Sequence, residues 1–341
     1  MQSGIHRWQF LSLFLVSIAI CAGGGYVVAK HADYSWSVDS KSYLQMAKGD
    51  YDVTVTHRYR VVVPWLAGSL YSLSSWWMQS VWPEKDTNKL LRFCFFAVNL
   101  LFFSFAVACI ANAATTLGYS GIVGLLLVLP VCSSRWTVYL IGLPLTDSLY
   151  FLSLSCLWIG LASSNPRLLY PALLLGPLAK ETFLLFLPLL FLAHLPGKKL
   201  IAFTFCLAGV ACLIAARWLV NVQYGPPLES DAENILQHVE LIRSNVLHLF
   251  TLNGLGQVFG TFGLFGLLPF AYFIPAFRMH RHSIRQSLRP YLSLFFGWLL
   301  VISIHMLLSG DFSRMFFFTA PPLVWGLALL FKPFLPHADQ G

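Results

Sequence analysis

Carboxylates, arginines and aromatics crowd into residues 33–68, DYSWSVDSKSYLQMAKGDYDVTVTHRYRVVVPWLAG, in a chain that is otherwise overwhelmingly apolar. Asp33 and Asp39 offer carboxylates that could accept a proton, and Tyr43, His57, Arg58 and Arg60 follow in the same stretch. Other ionisable residues stand at the edges of apolar runs: Asp147 in GLPLTDSLYF, Lys180 and Glu181 in LAKETFLLFLP, Asp311 and Arg314 in GDFSRMFFF. Charges at membrane depth are costly, so clusters of them usually face a cavity and act together. A carboxylate within reach of a hydroxyl is a general base. Arginine and lysine stabilise the charge that grows on a departing phosphate. Moving a group from a lipid phosphate to a hydroxyl needs both and no general acid, because the phosphate leaves as an anion. Attack opposite the leaving phosphate inverts the reacting carbon.

These residues need elements to hold them, and composition says which kind. The chain is 57% hydrophobic and 11% charged, with a mean hydropathy of +0.69, which excludes an ordinary water-soluble domain. Apolar runs without strand alternation must satisfy their backbone as helices. A crossing takes roughly 20 residues, and candidate runs lie at 8–28, 90–115, 120–132, 147–162, 199–220, 255–277, 291–308 and 315–331. Residues 168–194 are long for one crossing, and Gly176-Pro177 with Lys180-Glu181 predicts two short helices meeting at a polar turn. The expected fold is all-α, a single domain over 1–341 built as a polytopic transmembrane bundle of about ten spans. Two outer loops, 29–89 and 221–254, and a basic cytosolic loop, 278–290, complete it. The first run lacks a convincing small-x-small cleavage site and reads as a retained helix.

With the N-terminus and C-terminus inside, Lys and Arg gather on the inner segments, above all in RMHRHSIRQSLR, while every acid except Asp339 falls outside. The net charge of +8 then records topology rather than nucleic-acid binding. The seven cysteines lack zinc or CxxC spacing and read as small buried hydrophobes. No metal site or cofactor is expected. Asp50-Tyr51-Asp52 forms a DxD, but no cytosolic domain exists to hold a nucleotide, so it reads as a solvated turn.

Within the first outer loop, residues 37–48 have helical spacing, with Asp39, Tyr43 and Met46 on one face and Lys41, Gln45 and Lys48 on another. Ser37 is the expected cap and Gly49 the expected end. Such a helix is expected to lie in the membrane interface, as is a second element at 74–88 carrying Trp76, Trp77 and Trp82. In the second outer loop, Ile235, Val239, Ile242 and Val246 share a helical face, which suits a cover for the bundle or a lid using Gln237 or His238. Gly254, Gly256, Gly260, Gly263 and Gly266 suit close helix packing. His280 and His282 belong to the basic loop, and His305 sits inside a span.

An N-in first helix, a long outer loop with an early aspartate, and the segment D-S-x-x-Y-L-x-x-A-x-G beginning at Asp39 resemble the GT-C superfamily of integral-membrane glycosyltransferases. H-R-Y-R-V-V-V-P-W-L-A, T-D-S-L-Y-F and A-K-E-T-F-L-L-F-L-P are similar to segments of its small bacterial members. The resemblance implies an inverting transfer from a polyprenyl-phosphate sugar to a hydroxyl of a glycan, glycolipid or exported protein, on the outer face of a bacterial inner membrane. It implies Asp39 as the catalytic base, with Asp33 as fallback. Donor-phosphate contacts fall on Arg58, Arg60, Lys180 and Arg314; His57, Tyr43, Asp147, Glu181 and Asp311 are further site candidates. Larger members carry a C-terminal soluble domain, which is not expected in this sequence. Rival readings are a transporter or lipid flippase, a polysaccharide polymerase or ligase, and a membrane scaffold.

Overall fold

The computed structural model describes residues 2–34, 37–81, 86–195, 197–227, 231–263, 265–267 and 281–334, without the side chains of 2–6, 231–235, 237, 238 and 281. Every regular element among them is helical. The chain starts with α1 (Gln2–His31), a short α2 (Val38–Ala47) and a single turn, α3 (Val55–Arg58). Next come α4 (Val62–Val81) and the long α5 (Thr87–Thr116). α6 (Gly121–Cys132) and α7 (Arg135–Gly142) meet at a bend of 82°. α8 (Asp147–Ala162) and α9 (Pro166–Ala179) follow, then a 3-10 turn over Glu181–Phe186 and α10 (Leu189–Leu192). α11 (Lys199–Tyr224), α12 (Asp231–Leu249), α13 (Leu252–Gly260) and α14 (Arg281–Leu288) lead to α15 (Leu292–Ser309). α16 (Phe312–Phe317) and α17 (Ala320–Phe331) close the described chain.

Side-chain caps mark where these helices begin. Ser120 and Ser134 accept backbone N–H groups in the first turns of α6 and α7, and Asn165 does so for α9, whose first residue is Pro166. Each cap satisfies a donor that a helix start leaves orphaned, and proline tolerates that first position because it has no N–H to satisfy.

Among the described residues, four helical stretches are long and apolar enough to cross a membrane: Arg7–His31, Thr87–Thr116, Lys199–Tyr224 and His282–Ser309. The bent α6–α7 pair makes a fifth if counted as one span. The expected count of about ten is thus met only in part, for identifiable reasons. α8 has 16 residues and α9 has 14, each shorter than a full crossing. The last apolar run breaks between α16 and α17, and all of 268–277 lies outside the described residues. The first outer loop also differs from expectation. Residues 62–81 form one 20-residue helix, α4, with Trp76 and Trp77 exposed near its end; Trp82 lies outside the described residues. Large apolar side chains stay exposed along α1, α4, α11 and α15, including Leu15, Leu73, Ile214, Trp218 and Phe296. In a chain this apolar, such faces are what lipid contact requires.

Ties between helix ends distinguish the two ends of the bundle. At one end of the bundle, Arg92 near the start of α5 donates to Val28 and Ala32 at the end of α1, at 3.2 and 2.9 Å. Asn245 of α12 donates to Leu307 near the end of α15, at 2.7 Å. The opposite end holds other ties: Ser164 donates to the His194 carbonyl at 2.7 Å, Lys198 to Ser164 at 2.9 Å, and Tyr119 to Ala328. Ile284 of the basic segment is buried there against Leu327 and Leu330, while Arg285 and Arg289 face outward. Between the two ends lies a core in which Phe103 stacks on Phe151 at 4.7 Å and Trp158 meets Trp298 edge-on.

Candidate functional site

α2 carries the first site residues and forms as its sequence dictates. Ser37 accepts the Ser40 N–H as N-cap, and Gly49 leaves the helix at φ +89°, a conformation glycine adopts without strain. Tyr43 and Met46 are buried and Asp39 half-buried, whereas Lys41, Gln45 and Lys48 are exposed. The buried face packs on protein, chiefly α4 with α3 and α5 beside it.

This packing points Asp39 into the bundle. Its Oδ2 accepts from Arg314 Nη1 at 2.8 Å and its Oδ1 lies 3.0 Å from His57 Nε2. On the other side of that imidazole, Nδ1 meets the hydroxyls of Thr54 at 2.8 Å and Ser42 at 3.2 Å. Arg314 reaches a second carboxylate, Asp147, through Nη2. Lys180 Nζ stands 3.4 Å from the same Asp147. One arginine therefore bridges two aspartates more than a hundred residues apart in sequence.

Three elements hold that bridge in place. Asp147 opens α8, where the helix dipole favours a negative group. Next to it, Ser148 donates to Asn99 of α5, which itself donates to the Leu143 carbonyl at 3.1 Å, fixing the first turn of α8. Lys180 sits where α9 stops: its φ of −163° and ψ of +130° leave the helix before the 3-10 turn begins. Arg314 lies in the first turn of α16, capped by Asp311, whose Oδ1 accepts the Arg314 N–H at 3.1 Å. Ser313 beside it accepts from Arg135 at 2.9 Å and donates to the Gln257 carbonyl at 2.9 Å.

A second chain of polar contacts runs alongside. Arg60 donates to the Tyr43 hydroxyl at 3.0 Å and lies 3.4 Å from Glu181, and Arg217 approaches Glu181 at 3.6 Å. Together the two chains hold four basic groups, Arg60, Lys180, Arg217 and Arg314, against three carboxylates, Asp39, Asp147 and Glu181, and Asp311 adds a fourth carboxyl group beside Arg314. Burial opposes the charge on Asp39, but the His57 hydrogen bond and the Arg314 charge outweigh it and hold the carboxyl well below the usual carboxylate range. Burial pushes the Tyr43 phenol up to about 12, keeping it a neutral donor and acceptor. Asp311 is shifted upward by burial, with the Arg314 charge opposing.

Of the sequence candidates, the structure gathers Asp39, Tyr43, His57, Arg60, Asp147, Lys180, Glu181 and Arg314 into these two chains, with Asp311 as the cap beneath. Arg58 goes elsewhere. Its guanidinium donates to the Tyr51 carbonyl at 2.8 Å and to the carbonyls of Tyr224 and Gly225 at the end of α11, at 3.4 and 2.5 Å. It binds α3 to α11 and does not face Asp39. Asp33 is exposed past the end of α1, where its charge faces Arg92. Asp50 and Asp52 are exposed, with the Asp52 N–H on the Asp50 carboxylate at 3.0 Å, while Tyr51 stacks on Tyr224 at 4.3 Å. That is the geometry of a local turn.

Some residues of the site carried no sequence signal that singled them out. Arg217 lies mid-run in α11, and Thr54 and Ser42 are ordinary loop and helix hydroxyls. A lone arginine inside a 26-residue apolar helix was the available clue, since such a charge seeks a partner. α12 packs on α15 and α16 beside the site, with His248 stacked on Phe312 at 5.5 Å. Val239 on its expected covering face is exposed and Ile242 and Val246 only half-buried; the Ile235, Gln237 and His238 side chains lie outside the described residues. Gly254 alone of its glycine series approaches backbone closely, whereas Gly256, Gly260 and Gly263 face open space. Comparison with family models, curated proteins and solved structures finds no match to this chain.

Proposed function

We propose that this protein is an inverting glycosyltransferase of GT-C type that moves a sugar from a polyprenyl phosphate to an acceptor hydroxyl at the outer membrane face. The observation that carries the reading is the Arg314 guanidinium shared between Asp39 and Asp147, with Lys180 and His57 on either side. A carboxylate for a proton and cations for a phosphate stand within one constellation. In this reading the ten-span topology puts the ends of α1 and α11 and the starts of α5 and α8 outside, and the basic α14 inside.

The donor phosphate takes Arg314 and Lys180 as partners. Arg314 exchanges Asp39 for the phosphate, and Asp39, freed of that cation, gains proton affinity at the moment it is needed. The acceptor oxygen attacks the anomeric carbon from the face opposite the phosphate. Its proton passes to Asp39, the carbon–oxygen bond to the phosphate breaks, and the electron pair leaves with the polyprenyl phosphate. His57 is the positioning residue: hydroxyls of Thr54 and Ser42 at Nδ1 favour the tautomer with a proton on Nε2, which donates to Asp39.

The test is Asp39→Asn in purified, folded protein, assayed with polyprenyl-phosphate sugars. Transfer is expected to fall at least a hundredfold, in line with loss of a general base. Unchanged transfer would remove Asp39 from the chemistry. Arg58→Lys is expected to lower stability while leaving KM for the lipid donor nearly unchanged.

A further inference from the structure

Beside the charged chains lies a cluster of buried polar groups with spare hydrogen-bonding capacity. His305 of α15 is 2% exposed, yet neither ring nitrogen makes a hydrogen bond. The buried Tyr150 hydroxyl faces the Thr182 hydroxyl on the 3-10 turn after Lys180, and beyond each other neither has a partner. The rings of Tyr150 and His305 lie 6.2 Å apart, and Phe186 closes the far side of His305 at 5.7 Å. Tyr150 follows Asp147 by three residues on α8 and so points to the same face. Lys180 Nζ lies 5.4 Å from the centre of the Tyr150 ring. The cluster is thus continuous with the site above it.

A buried polar group left unpaired is costly, and native proteins hold few of them. Here an imidazole with both nitrogens unpaired stands beside a hydroxyl pair with spare donors and acceptors. A neutral imidazole, a phenol and an aliphatic hydroxyl each offer one donor and one acceptor and no charge. That set suits a neutral hydroxylated group and gives an anion nothing that Lys180 and Arg314 do not supply better.

We propose that Tyr150, Thr182 and His305 form a subsite for a hydroxyl of the donor's sugar, seated below the cations that take its phosphate. This rests on the reading of the protein as a lipid-phosphate-sugar transferase. A site built to hydrogen-bond a hydroxyl discriminates strongly against a ligand that lacks it, because its own groups are then left unpaired. The subsite would set which sugar is accepted while the cations set that it arrives on a phosphate.

The experiment measures binding to the full-length protein in lipid nanodiscs, comparing undecaprenyl phosphate with undecaprenyl phosphate carrying glucose, galactose, mannose or arabinose. Wild type is expected to bind bare undecaprenyl phosphate, and at least one glycosylated form about tenfold more tightly. Tyr150→Phe and His305→Phe are expected to abolish that tenfold gain and to leave binding of bare undecaprenyl phosphate unaffected. No binding of bare undecaprenyl phosphate would sink the transferase reading itself. Binding of that lipid with no preference for any sugar, or equal loss for bare and glycosylated lipid in both variants, would overturn the subsite alone.

Discussion

At the scale of single residues, Asp39 and Asp147 hold the same cation in different surroundings, and they should respond differently to change. Asp147 is almost fully buried, its side chain 1% exposed. Asp147→Asn leaves Arg314 and Lys180 partly uncompensated and is expected to destabilise the fold by about 3–5 kcal/mol, measured by thermal unfolding in detergent. Asp39 is more open, and its effect is a matter of pH. Its folded value lies below the ordinary 3.8, so its stabilising share is present above that value and lost as pH falls through the folded one. The stability difference between wild type and Asp39→Asn is therefore expected to be constant near neutrality and to shrink once pH drops below about 4. A difference that shrank instead on raising the pH above neutrality would contradict the pairing with Arg314. Residue types were the legible part of this site. Asp39, Asp147, Lys180 and Arg314 each stood out as charges at the edges of apolar runs. Which of them would meet was not legible, because Arg314 and Asp39 are brought together by tertiary packing across 275 positions, and no local period records that. Arg58 illustrates the cost: an arginine beside a site and an arginine capping a distant helix end have the same sequence signature.

At the scale of elements, local rules read well wherever caps and breaks are local chemistry. The Ser37 cap, the Gly49 exit, the start of α8 at Asp147 and the break at Lys180 all follow from neighbours in sequence. Reading failed where a partner element decided the outcome. The two faces of α2 were legible as a period, but not that α4, α3 and α5 would cover the buried one. Residues 74–88 looked like a separate element, but 62–81 continue as one helix. Close contact between helices is equally invisible in sequence and is readily tested. A Cβ on Gly209 of α11 would fall 2.3 Å from the Leu173 carbonyl oxygen of α9, whereas one on Gly256 of α13 would meet nothing within 4 Å. Gly209→Ala is expected to lower stability by about 1–3 kcal/mol through overpacking. Gly256→Ala is expected to be neutral or slightly stabilising. Equal effects in the two variants would contradict the α9–α11 packing.

For the whole molecule, topology is the open quantity, and it follows from where charge sits. Lys41 lies on the exposed face of α2 and Arg285 on the exposed face of α14, at opposite ends of the bundle. In a chain cleared of its native cysteines, Lys41→Cys is expected to react with a membrane-impermeant maleimide in intact cells, and Arg285→Cys only after the membrane is opened. The reverse pattern would invert the molecule and put the charged cluster in the cytosol. The pairing of the cluster has one more consequence. Every cation in it already holds a carboxylate, so a free anion dissolved in water must break those pairs while arriving at random from three dimensions. A phosphate tethered to a lipid arrives in two dimensions, at a local concentration that tethering raises to the millimolar range or above. Inorganic phosphate should accordingly be a poor competitor, and the resting ion pairs would serve as a filter that admits only anions delivered by the membrane.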